Sequence, residues 1–405
     1  MRLLARRDFL LIFGAVGLSS IGDYLAITTL VLRMEATGSG WAVAALLLCE
    51  LVPGVALAPV AGLVVDRMET VRVVVLSALI QAVIAAGLAA SSELVPTLAL
   101  AVLLGAAHAF THPALFALIP RAVGEDRVTE ANGLLEAARW GGAAIGPALG
   151  AVLRSTVGGR VTLLANAGTF LFVAALGPLL TIRRPPEPRA EGTPSQRGQA
   201  RQGMAHILRD PLLRVLVPMV GLMVVFAAAD NVAEVFFAKD VLRGGDTGYG
   251  ALVTTWTVGM VVGSTGASRL LRGARLAPAL PLTAMVGGAA VVVAAGVAAL
   301  PVAIVMFLVG GIANGIDLVA VRTLLHHRVP DRLRGRAFAA YYGMIQAAQI
   351  VALTTSGGLV EIAGARTTML LAGAGTALVG LLGLALYARV PAPERRPPLA
   401  GTGPA

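Results

Sequence analysis

Long apolar runs separated by short polar segments recur along the chain from Phe9 to Tyr387. Each run is close to the roughly 20 residues that a helix needs to cross about 30 Å of hydrocarbon. Runs such as residues 73–90 and 291–309 lack the alternation of apolar and polar positions that a membrane β-barrel requires. The pattern therefore predicts membrane-spanning helices, which satisfy their own backbone hydrogen bonds in lipid.

The runs predict twelve helices, six in each half of the chain. We place them near residues 9–32, 41–65, 71–91, 96–119, 133–153, 161–181, 212–236, 247–270, 277–298, 301–325, 337–359 and 366–388. Residues 183–205 are rich in Pro, Gly and Arg and are interpreted as a flexible cytoplasmic linker between six-helix bundles at 1–182 and 206–390. Residues 391–405 are interpreted as a disordered cytoplasmic tail. The predicted fold class is an all-α integral membrane protein with two pseudo-symmetric bundles.

Charge predicts the orientation of these helices. The chain is 57% hydrophobic and only 13% charged, although its formal net charge is +10. All but six of its 32 basic residues fall on one side of the twelve-helix arrangement, and by the positive-inside rule both termini are predicted to be cytoplasmic. The six expected outside are Arg33, Arg154, Arg160, Lys239, Arg243 and Arg366. We therefore expect a multi-pass protein of the cell membrane, with the lipid bilayer and not nucleic acid as its partner.

One motif lies between the second and third predicted helices. Gly62 is followed by Asp66, Arg67 and Arg72. A glycine permits close helix approach, and an acid can cap or face a helix N-terminus while arginines pair with acids. The segment resembles the corresponding loop of the major facilitator superfamily, with Glu69 in place of that family's second glycine. The resemblance implies that these residues form a conformational gate.

A second motif lies in the fifth predicted helix. Gly142, Gly146 and Gly150 share one helix face, and Pro147 frees a backbone carbonyl and bends the helix. This stretch is similar to the glycine–proline signature of exporters in the same superfamily, which implies a hinge in helix five. Ordinary packing of small residues is the alternative interpretation.

The resemblance extends over the chain from Asp8 to Tyr387 and points to the bacterial exporter branch that includes enterobactin and macrolide exporters. It implies a monomeric secondary transporter that exports small, partly apolar molecules, such as a drug, siderophore or natural product, by alternating access and proton antiport. The arginine that many proton-coupled exporters carry in helix four is replaced by Ala101. Two alternative functions remain open: an uptake carrier for a small metabolite, and a membrane scaffold or sensor that does not transport.

Catalytic signatures are missing from the sequence. It contains no phosphate-binding loop, nucleophile elbow or zinc motif, and its single cysteine, Cys49, excludes a disulfide framework. We therefore predict no enzymatic activity, no cofactor and no metal. His108 and His112 have metal-ligand spacing, but without a third ligand nearby in the sequence they are interpreted as packed or cavity-lining residues.

Five acids lie within otherwise apolar helices, where a charge costs roughly 2.5 kcal/mol or more. They are Asp23, Glu50, Asp230, Glu234 and Asp317. Asp23 and Asp230 occupy similar places in the two halves, and Asp23 is the leading candidate for a proton carrier. Asp230 and Glu234, one turn apart, could share a proton. Glu50 could contact a cationic substrate, and Asp317 could line the cavity. The alternative interpretation for Asp23, Glu50 and Asp317 is a structural role. For Asp230 and Glu234 the alternative is a position at a solvated helix end.

Overall fold

The computed structural model describes residues 3–183, 196–271 and 276–390, and within these ranges it contains helices and no strand. In the N-terminal half the helices are α1 (Arg7–Glu35), α2 (Gly40–Arg67), α3 (Thr70–Ala90), α4 (Leu94–Ala117), α5 (Ile119–Val123), α6 (Val128–Val157) and α7 (Gly159–Leu176). In the C-terminal half they are α8 (Gln196–Arg209), α9 (Leu213–Ala227), α10 (Asp230–Phe236), α11 (Gly245–Leu270), α12 (Leu276–Val297), α13 (Leu300–Arg328) and α14 (Asp331–Tyr387).

The described helices agree with the twelve predicted spans. Nine helical segments in the described ranges are long and apolar enough to cross a membrane. One of them, α14, consists of two consecutive helices, because Gly364 interrupts it with φ +78° and ψ 162°. That backbone conformation strains any residue with a Cβ atom. The more polar helices α6 and α11 complete the twelve.

The predicted linker contains a helix that the sequence did not predict. Residues 196–209 form α8, and Ile207 on this helix is completely buried in the core of the C-terminal half. The sequence of α8 shows no clear helical periodicity, because its apolar residues are concentrated near its C-terminal end. The remainder of the predicted linker, residues 184–195, and the predicted tail, residues 391–405, lie outside the described residues.

Three apolar clusters hold the helices together. We define the outer ends as the helix ends predicted to lie outside the cell, and the inner ends as the opposite ones. At the outer ends a single cluster joins both halves and includes Leu32 and Phe237. At the inner ends each half has its own cluster, one around Phe9 and one around Leu216. The described residues therefore form a common core only at the outer side.

Candidate functional site

A cavity of about 330 Å³ lies among α1, α2, α4 and α6 in the N-terminal half. Polar side chains from all four helices face it. Its lining consists of Ser20, Asp23, Tyr24, Ile27, Glu50, His108, His112 and Arg139. The structure therefore brings two of the predicted acids, Asp23 and Glu50, together with three basic side chains that were not among the predicted site residues, those of His108, His112 and Arg139.

Asp23 and His108 face each other across this cavity. Nε2 of His108 lies 3.5 Å from Oδ1 of Asp23, just beyond the usual length of a hydrogen bond. Both atoms are buried and have no hydrogen-bond partner in the described structure. The ring of His108 also lies 6.0 Å from that of Phe170 on α7. Because imidazole and carboxylate can both gain and lose a proton, such a pair can carry one.

Glu50 is held beside this pair by close contact of α2 and α4. A Cβ atom added to Gly105 would lie 2.9 Å from the Cα atom of Glu50, so only glycine permits the two backbones to approach this closely. Glu50 takes part in no ion pair within the described ranges. Its carboxylate thus faces the cavity without a cationic side chain bound to it.

Arg139 contributes a basic side chain to the N-terminal cavity. By charge it was counted on the cytoplasmic side, and in the structure it lies on α6 and lines the N-terminal cavity. Its guanidinium donates to Oε2 of Glu136 at 2.8 Å and stacks 4.8 Å from the ring of Trp140. The predicted fifth helix, residues 133–153, already includes this position, and α6 extends it to Val128–Val157.

The glycines of the helix-five motif pack α6 directly against α1. A Cβ atom added to Gly142 would lie 2.6 Å from Cβ of Ser20, and one added to Gly150 would lie 2.7 Å from the carbonyl oxygen of Leu25. Gly146 contacts Tyr24 in the same way. These glycines therefore fix the part of α1 that carries Asp23.

The opposite side of α6 contacts the other half of the protein. The carbonyl oxygen of Pro147 would lie 2.9 Å from a Cβ atom added to Gly250 on α11. One residue later, the amide of Ala148 donates to Oγ1 of Thr254 at 3.2 Å. The proline thus lies where α6 passes between α1 and α11, at the boundary of the two halves.

A second cavity, of about 280 Å³, lies between the halves, and we call it the central cavity. Tyr24 and Ile27 line both this cavity and the N-terminal one. The remaining lining residues are Thr28, Val31, Leu47, Leu51, Pro147, Ala228, Asn231, Glu234, Tyr249, Val253, Gln349 and Leu353. Oε1 of Glu234 is buried here and has no hydrogen-bond partner in the described structure.

The other two predicted acids line a third, smaller cavity of about 40 Å³ inside the C-terminal half. Asp230 and Asp317 face it together with Asn314, and Oδ1 of Asp317 accepts a hydrogen bond from Thr283 at 3.3 Å. Asp230 and Glu234, which the sequence analysis paired, therefore face different cavities. The described residues contain no group of three or more His, Cys, Asp or Glu side chains that could hold a metal ion.

An ion-pair network closes the outer side of the central cavity. Nζ of Lys239 lies 2.5 Å from Oε2 of Glu35 and 3.2 Å from Oδ1 of Asp246. Arg154 approaches the other oxygen of Asp246 at 3.0 Å. Glu35 and Arg154 belong to the N-terminal half, and Lys239 and Asp246 to the C-terminal half. The network joins the two halves one turn beyond Val31, which lines the cavity.

The predicted conformational gate differs from its expected geometry. Glu69 caps α3, accepting hydrogen bonds from the amides of Val71 and Arg72, so Asp66 is not the cap of this helix. Arg72 lies 3.9 Å from the same carboxylate. No atom lies within 4 Å of a Cβ atom added to Gly62, so this glycine is not required for close packing here. The inner end of α2 is loosely surrounded because the two halves share no core on this side.

Comparisons with known proteins give the same fold and add the family. An uncharacterized MFS-type transporter, YfiS of Bacillus subtilis (strain 168), is 26% identical over 396 residues, covering 91% of this chain and 90% of that protein. A crystal structure of the nucleoside transporter NupG is similar, with a TM-score of 0.74, 13% identity and coverage of 94% and 99%. A bacterial homologue of the iron transporter ferroportin, in an inward-facing state, has a TM-score of 0.73 with 14% identity and coverage of 95% and 99%.

The sequence profile of the Major Facilitator Superfamily matches residues 12–310 and 242–405, which together extend over nearly the whole chain. This match agrees with the helical fold. The chain therefore belongs to the major facilitator superfamily and is a multi-pass membrane transporter, not an enzyme.

Proposed function

We propose that this transporter exports small, partly apolar molecules by proton antiport, as the exporter branch of the family does. The observation that carries the proposal is the Asp23–His108 pair, which faces a cavity adjacent to the central cavity, with Tyr24 and Ile27 lining both. A proton held by this pair and a substrate in the central cavity would lie close enough to influence each other electrostatically.

Alternating access requires that the two halves separate on one side at a time. The shared outer core and the Lys239 network support a state closed on the outer side, and the separate inner cores support access from the inner side. In our proposal residues 1–182 and 206–390 are the moving bundles, 183–205 is the linker, and both termini are cytoplasmic. The small-residue contacts of α6 serve as the hinge, and the Gly62, Asp66, Arg67 and Arg72 segment serves as the inner gate.

The cavity linings also give the C-terminal half a part in transport. Asp230 and Asp317 face one small cavity, and Glu234 faces the central one. We assign the first two to a second proton site and Glu234 to the substrate route. An uptake carrier would use the same cavities, so the direction of transport must be measured.

The proposed function is tested by the resistance of expressing cells to toxic compounds. Cells that produce the wild-type protein should tolerate at least some members of a panel of cationic, neutral and anionic amphiphiles better than cells that produce Asp23→Asn at equal abundance in the membrane. Increased sensitivity of the wild-type cells would indicate uptake. Identical responses of both strains and of cells without the protein to every compound would contradict export and favour a scaffold or sensor.

A further inference from the structure

The central cavity contains a carboxylate that the protein does not neutralise. Glu234 lies on α10, its Oε1 atom is buried without a hydrogen-bond partner, and no ion pair in the described structure includes it. An ionised group in such a place is strongly disfavoured unless something pairs with it. A ligand that enters the cavity can supply the missing partner.

The cationic side chains around the cavities are already occupied. Arg139 is bound to Glu136, and Lys239 and Arg154 hold the acids of the outer network. His108 faces Asp23. The ligand route is therefore lined by unbalanced acids, Glu50 and Glu234, and its electrostatics favour a cation over an anion.

The walls around Glu234 are mainly aromatic and aliphatic, with Thr28, Asn231 and Gln349 as uncharged polar residues. Tyr24 and Tyr249 contribute rings from the two different halves, and Leu47, Leu51 and Leu353 are among the apolar residues beside them. Aromatic rings attract cations through their faces, and this attraction increases when water is excluded. Mainly apolar walls with a single carboxylate and few other polar groups suit an organic cation better than a hydrated metal ion.

We propose that the central cavity binds a lipophilic organic cation with a single positive charge, which lies against Glu234 and between Tyr24 and Tyr249. This inference rests on the proposed function only in taking the central cavity as the substrate route. It names the substrate class and makes Glu234 the residue that selects for charge.

The test is equilibrium binding of tritiated tetraphenylphosphonium to the purified full-length protein in nanodiscs, without any ion gradient. Glu234→Gln should weaken binding by about tenfold or more, because it removes a charge contact in a desolvated cavity. Glu234→Asp should retain much of the affinity. Asp240→Asn is the matched control, since Asp240 is an exposed acid six residues further along the same segment, and it should bind as the wild type does.

Charge selection is measured separately by displacement of the bound probe. Phenyltrimethylammonium should displace it from the wild type, whereas tert-butylbenzene, its neutral isostere, should displace it far less. Thermal unfolding of Glu234→Gln should occur at the same temperature as that of the wild type or higher, which excludes misfolding as the cause of weak binding. Absence of saturable binding to the wild type, or equal affinity of the wild type and Glu234→Gln, overturns the inference.

The two proposals fail in different ways. If the wild type exports neutral compounds and does not bind the cation, the substrate class is wrong and the proposed function stands. If cation binding depends on Glu234 and no gradient drives transport, the substrate class stands and proton coupling is wrong.

Discussion

At the scale of single residues, the site depends on contacts between positions far apart in the chain. The sequence identified Asp23 from its charge in an apolar helix, and it identified the spacing of His108 and His112. It could not pair Asp23 with His108, because 85 positions separate them and only the folded arrangement of α1 and α4 around the N-terminal cavity brings them to 3.5 Å. Ala101, where the family's arginine is missing, is buried, and the cavity receives its basic groups from His108 and Arg139 instead.

The pair predicts different effects for the two histidines of α4. His108→Gln should leave the protein inserted and able to bind substrate, but should slow proton-driven transport by about tenfold or more, since it removes a group that can exchange a proton with Asp23. His112→Gln is the control, because His112 lines the same cavity without an ion pair to Asp23. Transport against a pH gradient in proteoliposomes measures both. Equal rates in the two variants would exclude a special role for His108.

At the scale of helices, most boundaries follow from the apolar pattern, because a span of given length must match the bilayer. The exceptions have local causes. The predicted seventh span, residues 212–236, is divided, with α9 ending at Ala227 and α10 beginning at Asp230, and a π-helical turn, Phe237–Val241, follows its predicted end. Hydropathy does not detect such breaks, since every residue around them is compatible with a helix. The glycine face of α6 was predicted, but its partner α1 was visible only in the structure.

Adjacent glycines on α6 provide a matched test of this packing. Gly142→Ala should destabilise the protein by about 1 to 3 kcal/mol and slow transport, because the added methyl group would meet Ser20 and the backbone of α1. Gly141→Ala has no atom within 4 Å of the added carbon and should be neutral or slightly stabilising. Thermal unfolding in detergent compares them. Equal stability of the two variants would show that α6 does not pack tightly on α1.

At the scale of the whole molecule, ion pairs between charged residues close the outer side. The sequence predicted on which side of the membrane the basic residues lie, but not which acids they pair with. Of the six basic residues predicted outside, Lys239 and Arg154 join the halves. Arg33 donates to the carbonyl oxygens at the end of α3, and Arg366 donates to those at the end of α12. Such contacts favour the observed helix ends, where carbonyl groups lack partners within the helix. Their pairing could not be predicted, since Glu35 and Lys239 are 204 positions apart.

Weakening the network should open the outer side. The assay uses a protein in which Cys49→Ser removes the native cysteine and Val253→Cys places a single thiol in the central cavity. In this background, Lys239→Gln should increase the labelling of the thiol by an impermeant reagent added outside about fivefold. This factor corresponds to the loss of roughly 1 kcal/mol from a partly exposed ion pair. Arg160→Gln is the control, because it removes an exposed outer charge that has no ion-pair partner in the described structure. Unchanged labelling in Lys239→Gln would contradict a gating role.

Orientation is tested by reporter fusions. A fusion after Gln202 should be active as a cytoplasmic reporter, and one after Glu93 as an external reporter, because the basic residues lie overwhelmingly on one side. The opposite pattern would invert the membrane orientation and with it the assignment of outer and inner ends.

The most direct test of proton-coupled export is gradient-driven flux in proteoliposomes that contain the wild type or Asp23→Asn, with a compound chosen from the resistance panel. The wild type should move the compound against its concentration gradient when a pH gradient is imposed. Asp23→Asn should exchange the compound across the membrane but should not accumulate it, because an amide keeps the shape of the carboxyl group and cannot carry a proton. Normal gradient-driven accumulation by Asp23→Asn would contradict the proposed mechanism.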